Sequence, residues 1–410
     1  MTSPALPRTP LHFDITAKHV FLDPHPLLHR MRREKPVYFC PELESWILTS
    51  YQDVCAALRD PRFSVVEETK RIEALPPADQ EALAPLRRSF EAWGDRGREE
   101  EHARFLKLLK RYFTPQRVEA QRSRIQAIID DLIAKALKRG EVDVANDIAH
   151  PLAMTVVAGL TGAPTSQVDM YLRCSAAISG LLEMGTRQQL FDCQAGIQEI
   201  SDYLRPVVAR HRIDPADDLF NVFMEADPTG QYFTDEHIIA QGIMFLVVGY
   251  HTTANQLGNG LQILFDHPEK RDKLVKEPRL LPNAFDEMMR YHGAVASIRR
   301  LATVDLTIRD QAIRAGDTVI LALTAANRDP ETFADPDRFS IEREGANKQV
   351  GFTIGPYSCM GQALARLEGQ IFFRTLLERF PRLRPRETSP DWMVFRPLGR
   401  ELRTMRVLVD

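Results

Sequence analysis

Little in this chain points to an extracellular, membrane-embedded or nucleic-acid-binding protein. Five cysteines in 410 residues (Cys40, Cys55, Cys174, Cys193 and Cys359) are widely scattered and odd in number. No CxxC or CxxH spacing joins them, which argues against a disulfide framework or a zinc site and for a reducing compartment. Excess positive charge is also missing. Against 53 Lys and Arg stand 56 Asp and Glu, a net charge of −3, so no general affinity for nucleic acid or an anionic membrane surface is expected. The most apolar run, Ile243 to Gly249, is about a third of the ~20 residues that a membrane span needs. The opening Met1-Thr2-Ser3-Pro4-Ala5-Leu6-Pro7 holds no apolar core of a secretion signal. These absences read as a cytoplasmic protein without a membrane or nucleic-acid partner. No repeat, low-complexity tract or linker divides the chain, so residues 1–410 are expected to form a single, monomeric domain.

What is present is a normal globular composition, 44% hydrophobic and 27% charged. Apolar spacing predicts a helix over Pro24 to Arg33, a hairpin of Val37–Phe39 and Trp46–Thr49, and a short helix from Tyr51 to Leu58. From Arg62 to Glu101 the pattern weakens, which suits a functional or mobile segment. Helical periodicity then dominates over His102–Phe113, Gln116–Lys138, Val144–Leu160, Gln167–Met184 and Gln188–Arg212. Thr234 caps a long helix reaching roughly Asp266, whose polar Gln241, Asn255, Gln256 and Asn259 suit a helix crossing the protein interior. Short helices at Pro268–Glu277 and Leu281–Tyr291, a β-rich stretch over Ser297–Ile320, a meander over Asn327–Lys348 and a strand-like end follow. The fold class is mainly α with a minor β-rich region.

The stretch carrying most chemistry is Gly351-Phe352-Thr353-Ile354-Gly355-Pro356-Tyr357-Ser358-Cys359-Met360-Gly361. A loop with glycines presents one cysteine just before a helical run. Gly355 and Gly361 are expected to let the backbone pass close to a large flat cofactor. The helix opening near Gly361 turns free N–H groups and its positive end toward the sulfur, which favours thiolate. Phe352 is expected to shield the sulfur from water.

This Phe-x-x-Gly-x-x-x-Cys-x-Gly pattern resembles the haem-binding loop of the cytochromes P450, and three further motifs extend the resemblance. Glu287-Met288-Met289-Arg290 is similar to the family's ExxR pair, and Arg338 in Asp335-Pro336-Asp337-Arg338-Phe339 matches the arginine that completes a Glu-Arg-Arg network. Val248-Gly249-Tyr250-His251-Thr252-Thr253 resembles the oxygen-activating segment, with Thr252 matching the residue that holds a proton-delivery water and His251 standing where the family has an acid. His102, before Tyr112-Phe113-Thr114-Pro115, matches a propionate-binding histidine, although Leu106 occupies the accompanying arginine position. Arg300 matches the propionate arginine, with Arg299 as the alternative register. Tyr357 replaces a histidine, and Thr353 a glycine.

The resemblance implies a cytochrome P450-like fold with a long central helix over haem b (iron protoporphyrin IX). Cys359 would be the axial ligand of the iron. Gly249, Gly355, Gly361, Phe352, His102, Arg300 and Tyr357 would bind the cofactor, Thr252 and His251 would serve oxygen activation, and Glu287, Arg290 and Arg338 would form a structural network. The implied reaction is insertion of one oxygen atom from O2 into a hydrophobic small molecule. Two electrons would come from a ferredoxin and its reductase, docked on a basic face of Arg104, Lys107, Lys110, Arg111, Lys348 and Arg366. Met244, Phe245, Val248, Val295, Ile298 and Phe395 are expected to wall the substrate pocket. The departures keep open oxidative coupling or rearrangement, peroxide-driven oxidation, or a non-catalytic haem protein.

Overall fold

The computed structural model describes residues 12–15, 17–65, 69–95, 99–184, 186–387, 391–396 and 399–409. The β component near the site is a five-stranded sheet of β1 (Val37–Cys40), β2 (Ser45–Leu48), β3 (Phe63–Val65), β4 (Ile298–Ala302) and β5 (Thr318–Leu321), in the order β1-β2-β5-β4-β3. The β1–β2 hairpin is as the alternating residues predict, Val37 opposite Leu48. Its second strand then pairs in parallel with β5, Ser45 beside Thr318 and Leu48 beside Leu321. β4 runs antiparallel between β5 and β3, which places Arg300 opposite both Val319 and Val65. Arg300 is thereby held in the middle of a sheet rather than on a loop.

Five helices carry the site: α1 (Glu99–Tyr112), α2 (His150–Thr161), α3 (Asp235–Asp266), α4 (Leu281–His292) and α5 (Gln362–Arg379). α3 starts where its cap predicts, with the Thr234 hydroxyl accepting from the His237 N–H at 3.2 Å. It is buried on nearly all sides, as expected of a helix without a broad polar face. Small residues admit its neighbours. A Cβ on Gly260 would lie 2.5 Å from the Phe373 ring of α5 and 2.9 Å from the Met288 sulfur of α4.

The weakly patterned region after Arg62 is more ordered than its sequence suggests. It holds β3 and short helices at Lys70–Glu73, Pro77–Ala82 and Ala84–Ala92, whose few buried residues (Ile72, Leu86, Phe90) give too short a period to read. The expected Gln116–Lys138 helix is two, Pro115–Ala120 and Arg122–Lys138. Val144–Ala149 is a single π-helical segment running directly into α2. An unforeseen helix spans Leu219–Ala226, capped by Asp218, whose carboxylate accepts from the Asn221 N–H at 3.1 Å. No described helix is long and apolar enough to cross a membrane.

Candidate active site

The cysteine loop is fixed by local hydrogen bonds before any distant residue contributes. The Cys359 N–H donates to the Phe352 carbonyl at 2.9 Å, which closes the loop, and Gly361 caps α5 immediately afterwards. The Cys359 side chain is solvent-accessible yet walled in by protein. Burial pushes its thiol up; the N–H groups of Gly361 and Gln362 and the Arg366 charge pull it down. A Cβ on Gly361 would sit 3.9 Å from the sulfur, so the glycine leaves that side open.

Gly355, expected to face a cofactor, has another reason to be glycine. Its φ is +82°, and a Cβ there would lie 2.5 Å from the Leu58 carbonyl oxygen. It therefore docks the loop onto the helix Tyr51–Arg59. Thr353 takes the left-handed conformation as well, with φ +56°, and its hydroxyl offsets part of that strain by donating to the Tyr357 carbonyl at 2.9 Å.

Arg366, expected on a docking face, belongs to the support beneath the loop. Its guanidinium lies 4.7 Å from the Phe352 ring centroid and donates to the Asp286 carboxylate at 2.9–3.2 Å. Asp286 also accepts from Gln349 at 3.1 Å, and the Gln349 amide oxygen accepts from the Gly351 N–H at 2.6 Å. Arg104, Lys107, Lys110, Arg111 and Lys348 are exposed, with the Arg104 guanidinium 4.9 Å from the Tyr232 ring centroid.

Below it the Glu287–Arg290 pair of α4 is fully buried, with Arg290 donating to both carboxylate oxygens at 2.7 and 2.9 Å. Arg290 also donates to the carbonyls of Asn327, Pro336 and Arg338, which ties the meander to α4. Burial pulls the Arg290 guanidinium down while Glu287 holds it charged. The third member is Arg343 rather than Arg338: the Arg343 Nε lies 3.0 Å from each Glu287 oxygen. Arg338 is exposed, and its contribution is a backbone carbonyl that accepts from both Arg290 and Arg343. The turn at Asp335, in the left-handed conformation with φ +45°, redirects the chain and sets which arginine arrives.

Three residues from distant parts of the sequence meet beside the loop. The His102 ring of α1 lies 5.0 Å from that of Tyr357, and the Arg300 guanidinium lies 5.2 Å from the Tyr357 centroid. Arg300 is 6% exposed. The His102 Nδ1 lies 2.7 Å from the Gly94 carbonyl oxygen, whereas its Nε2 is buried without a protein hydrogen-bond partner. A buried polar atom without a partner is costly. An orphan imidazole nitrogen beside a guanidinium and a phenol suits a carboxylate that the protein itself does not provide, so these residues fit the haem propionates.

On α3, Thr252 and Thr253 donate back to the carbonyls of Val248 and Gly249, at 3.0 and 3.2 Å. The helix stays unbroken there, although hydroxyls bonded back to the preceding turn often bend a helix. A Cβ on Gly249 would lie 2.8 Å from Val157, so the glycine lets α2 come close. That approach sets the His251 ring against His150, a residue sequence reasoning passed over, with ring centroids 6.4 Å apart. Met244, Phe245 and Val248 border the large apolar core, as does Phe352 of the loop. Val295 and Ile298 border the smaller cluster shared with Ile354. The side chain of Phe395 lies outside the described residues.

The fold, the thiol loop and the buried Glu–Arg network together define a haem-thiolate oxygenase, and the comparisons agree. The chain belongs to the cytochrome P450 family, whose model matches residues 184–400. It is 36% identical to cytochrome P450 107B1 of Saccharopolyspora erythraea over 380 residues, 90% of each chain. It is 34% identical to the cytochrome P450 monooxygenase PikC of Streptomyces venezuelae, covering 92% of this chain and 88% of that one. The solved structure of CalO2 superposes with a TM-score of 0.88 at 29% identity, covering 97% and 98%. P450BioI, solved with an acyl carrier protein ligated to hexadec-9Z-enoic acid, gives 0.87 at 26%, covering 96% and 99%. The protein is a monooxygenase of the bacterial type, an oxidoreductase that uses haem iron, O2 and redox partners on a small-molecule substrate.

Proposed function

We propose that the Cys359 thiolate is the axial ligand of haem b and that His102, Arg300 and Tyr357 bind its propionates. The carrying observation is the buried, unpartnered His102 Nε2 set beside Arg300 and Tyr357, next to a cysteine at a helix N-terminus. When bound, the haem supplies reductive activation of O2 and insertion of one oxygen atom into the substrate, with two electrons from outside.

The chain's own residues divide the remaining work. Gly361 and Gln362 N–H groups and Arg366 stabilise negative charge on the sulfur. Phe352, held by Arg366, covers the loop and excludes water. The Thr252 hydroxyl spends its proton on the Val248 carbonyl, which leaves the oxygen lone pairs to accept from a water. His251 takes the place of the acid and passes protons through an imidazole. Met244, Phe245, Val248, Val295 and Ile298 favour an apolar substrate, in keeping with relatives named as steroid and polyketide enzymes. Residues 1–410 act as one unit, with a ferredoxin and its reductase as donors docked near Arg104, Lys107, Lys110, Arg111 and Lys348.

The test is the spectrum of dithionite-reduced protein under carbon monoxide. A Soret band near ~450 nm is expected for thiolate ligation. A band near ~420 nm in freshly prepared, folded protein would remove Cys359 from the iron.

A further inference from the structure

Gln241 is a fully buried amide on α3, one turn after His237. Its Oε1 accepts from the Gly94 N–H at 3.0 Å. Its Nε2 donates to the Ala92 carbonyl and to the His237 Nε2, the latter at 2.8 Å. His237 can accept because its Nδ1 lies 3.0 Å from the Tyr232 carbonyl, which keeps its proton on the other nitrogen. The orientation of the amide is thereby determined. Flipped, it would set an N–H against the Gly94 N–H and an oxygen against the Ala92 carbonyl.

This amide grips the backbone of a turn at its glycine, beside Trp93, which packs edge-on against Phe90. Gly94 sits at φ +64° inside the Trp93–Asp95 turn, and its carbonyl is the group on which His102 Nδ1 rests. A continuous polar chain therefore runs His237–Gln241–Gly94–His102 and ends at the orphan Nε2. With the Nδ1 proton committed to a carbonyl, the ring plane is fixed, its centroid 5.0 Å from that of Tyr357 and its Nε2 buried and unpartnered.

We infer that Gln241 is a positioning residue for cofactor retention: from the central helix it holds the Gly94 turn, and through that turn it aims the His102 imidazole at the haem carboxylate. The inference rests on the reading of His102 as a propionate ligand. Gln241 itself touches neither cofactor nor substrate; it acts as an outer partner of the kind whose loss typically weakens a cofactor site by ~10- to 100-fold.

Two measurements on the full chain test it: haem transfer to excess apomyoglobin, and 15N–1H correlation spectra of the histidine rings in the haem-free protein. Gln241→Met keeps the shape but neither accepts nor donates as the amide does. It should release haem ~10-fold faster and lose the protected His102 Nδ1–H signal. Gln241→Glu, held neutral at this buried position, still accepts from the Gly94 N–H and has one O–H to donate to the Ala92 carbonyl or His237, and should restore both most of the way to the parent values. It also guards against a Met variant that fails to fold. His102→Ala should release haem at least as fast as Gln241→Met. If His102→Ala leaves haem release unchanged, the propionate reading falls and this inference with it. If His102→Ala accelerates release and Gln241→Met does not, or if Gln241→Met retains the His102 signal, the positioning role of Gln241 is overturned while the propionate reading stands.

Discussion

The imidazole of His251 lies against that of His150, centroids 6.4 Å apart and planes inclined by 26°, with Tyr250 within 6 Å of both. Two imidazoles thus face each other where α2 meets α3, one residue before Thr252, to which we assign the activation of oxygen. Positioned general acids and bases contribute roughly 10²–10⁴ in rate, and a carboxylate and an imidazole differ in which protons they accept and donate. His251→Ala should lower turnover by about 10² and divert electrons to peroxide. His251→Glu should keep turnover but alter its pH profile. Unchanged rate, coupling and pH profile in both variants would exclude His251 from proton delivery.

The two arginines of the meander make opposite predictions. Removing Arg343 leaves the fully buried Glu287 with one guanidinium instead of two, and loss of one partner from a buried ion network costs about 3–5 kcal/mol. Removing Arg338, which is exposed and works through its carbonyl, should cost under about 0.5 kcal/mol. Urea denaturation of Arg343→Ala and Arg338→Ala decides between them. Equal losses would mean that the network does not depend on which side chain reaches it.

Gly355 and Thr353 share a left-handed backbone but respond differently to substitution. Gly355→Ala adds strain and a clash with the Leu58 carbonyl, and should lose about 2 kcal/mol or more and shed haem. Thr353→Gly relieves about 1–2 kcal/mol of strain while losing one hydrogen bond of about 1 kcal/mol. It should unfold within about 1 kcal/mol of the parent. Thr353→Val keeps the strain, loses the bond, and should be the least stable of the Thr353 pair. A Val variant as stable as the parent would mean that the hydroxyl contact contributes nothing, and one as stable as Gly that the left-handed backbone stores no strain.

Glu368 of α5 is buried, and its Oε2 has no protein hydrogen-bond partner. Burial pushes its carboxyl well above the ordinary 4.5, so the folded protein keeps a proton that the unfolded chain releases. The associated stability is fully present below the unfolded value. It then declines by about 1.4 kcal/mol per pH unit until the folded value is reached. Glu368→Gln, which cannot ionise, should flatten the fall of unfolding free energy above about pH 5. Parallel curves for the two proteins would show that Glu368 is ionised in the fold.

The parts of the site legible in the sequence are those whose chemistry is local. The Phe352–Gly361 loop, the Glu287–Arg290 pair and the cap of α3 at Thr234 each lie within a dozen residues, and all appear where expected. Arg338 was the natural reading of the meander, because nothing in Asp335–Arg343 announces that Asp335 turns the chain and delivers the later arginine. Gly249 and Gly355 show a second limit. A glycine records that space is scarce but not what occupies it, and here the occupants are Val157 and the Leu58 carbonyl. Asp286, Gln241 and His150 carry no motif at all; only the packing of α1, α2 and α5 onto α3 and α4 gives them partners.

The parallel pairing of β2 with β5 also has a consequence for biosynthesis. Ser45 meets Thr318, about 270 residues later, which a ribosome adding ~5–20 residues per second reaches only after roughly 15–55 s. Until then the β2 edge of the nascent hairpin is unpaired as well as that of β1, a template for wrong partners. The cluster of His102, Arg300 and Tyr357 is completed later in synthesis still, because Tyr357 follows Thr318 in the chain. If these residues hold the haem as proposed, the site is complete only once the chain has been made through Cys359.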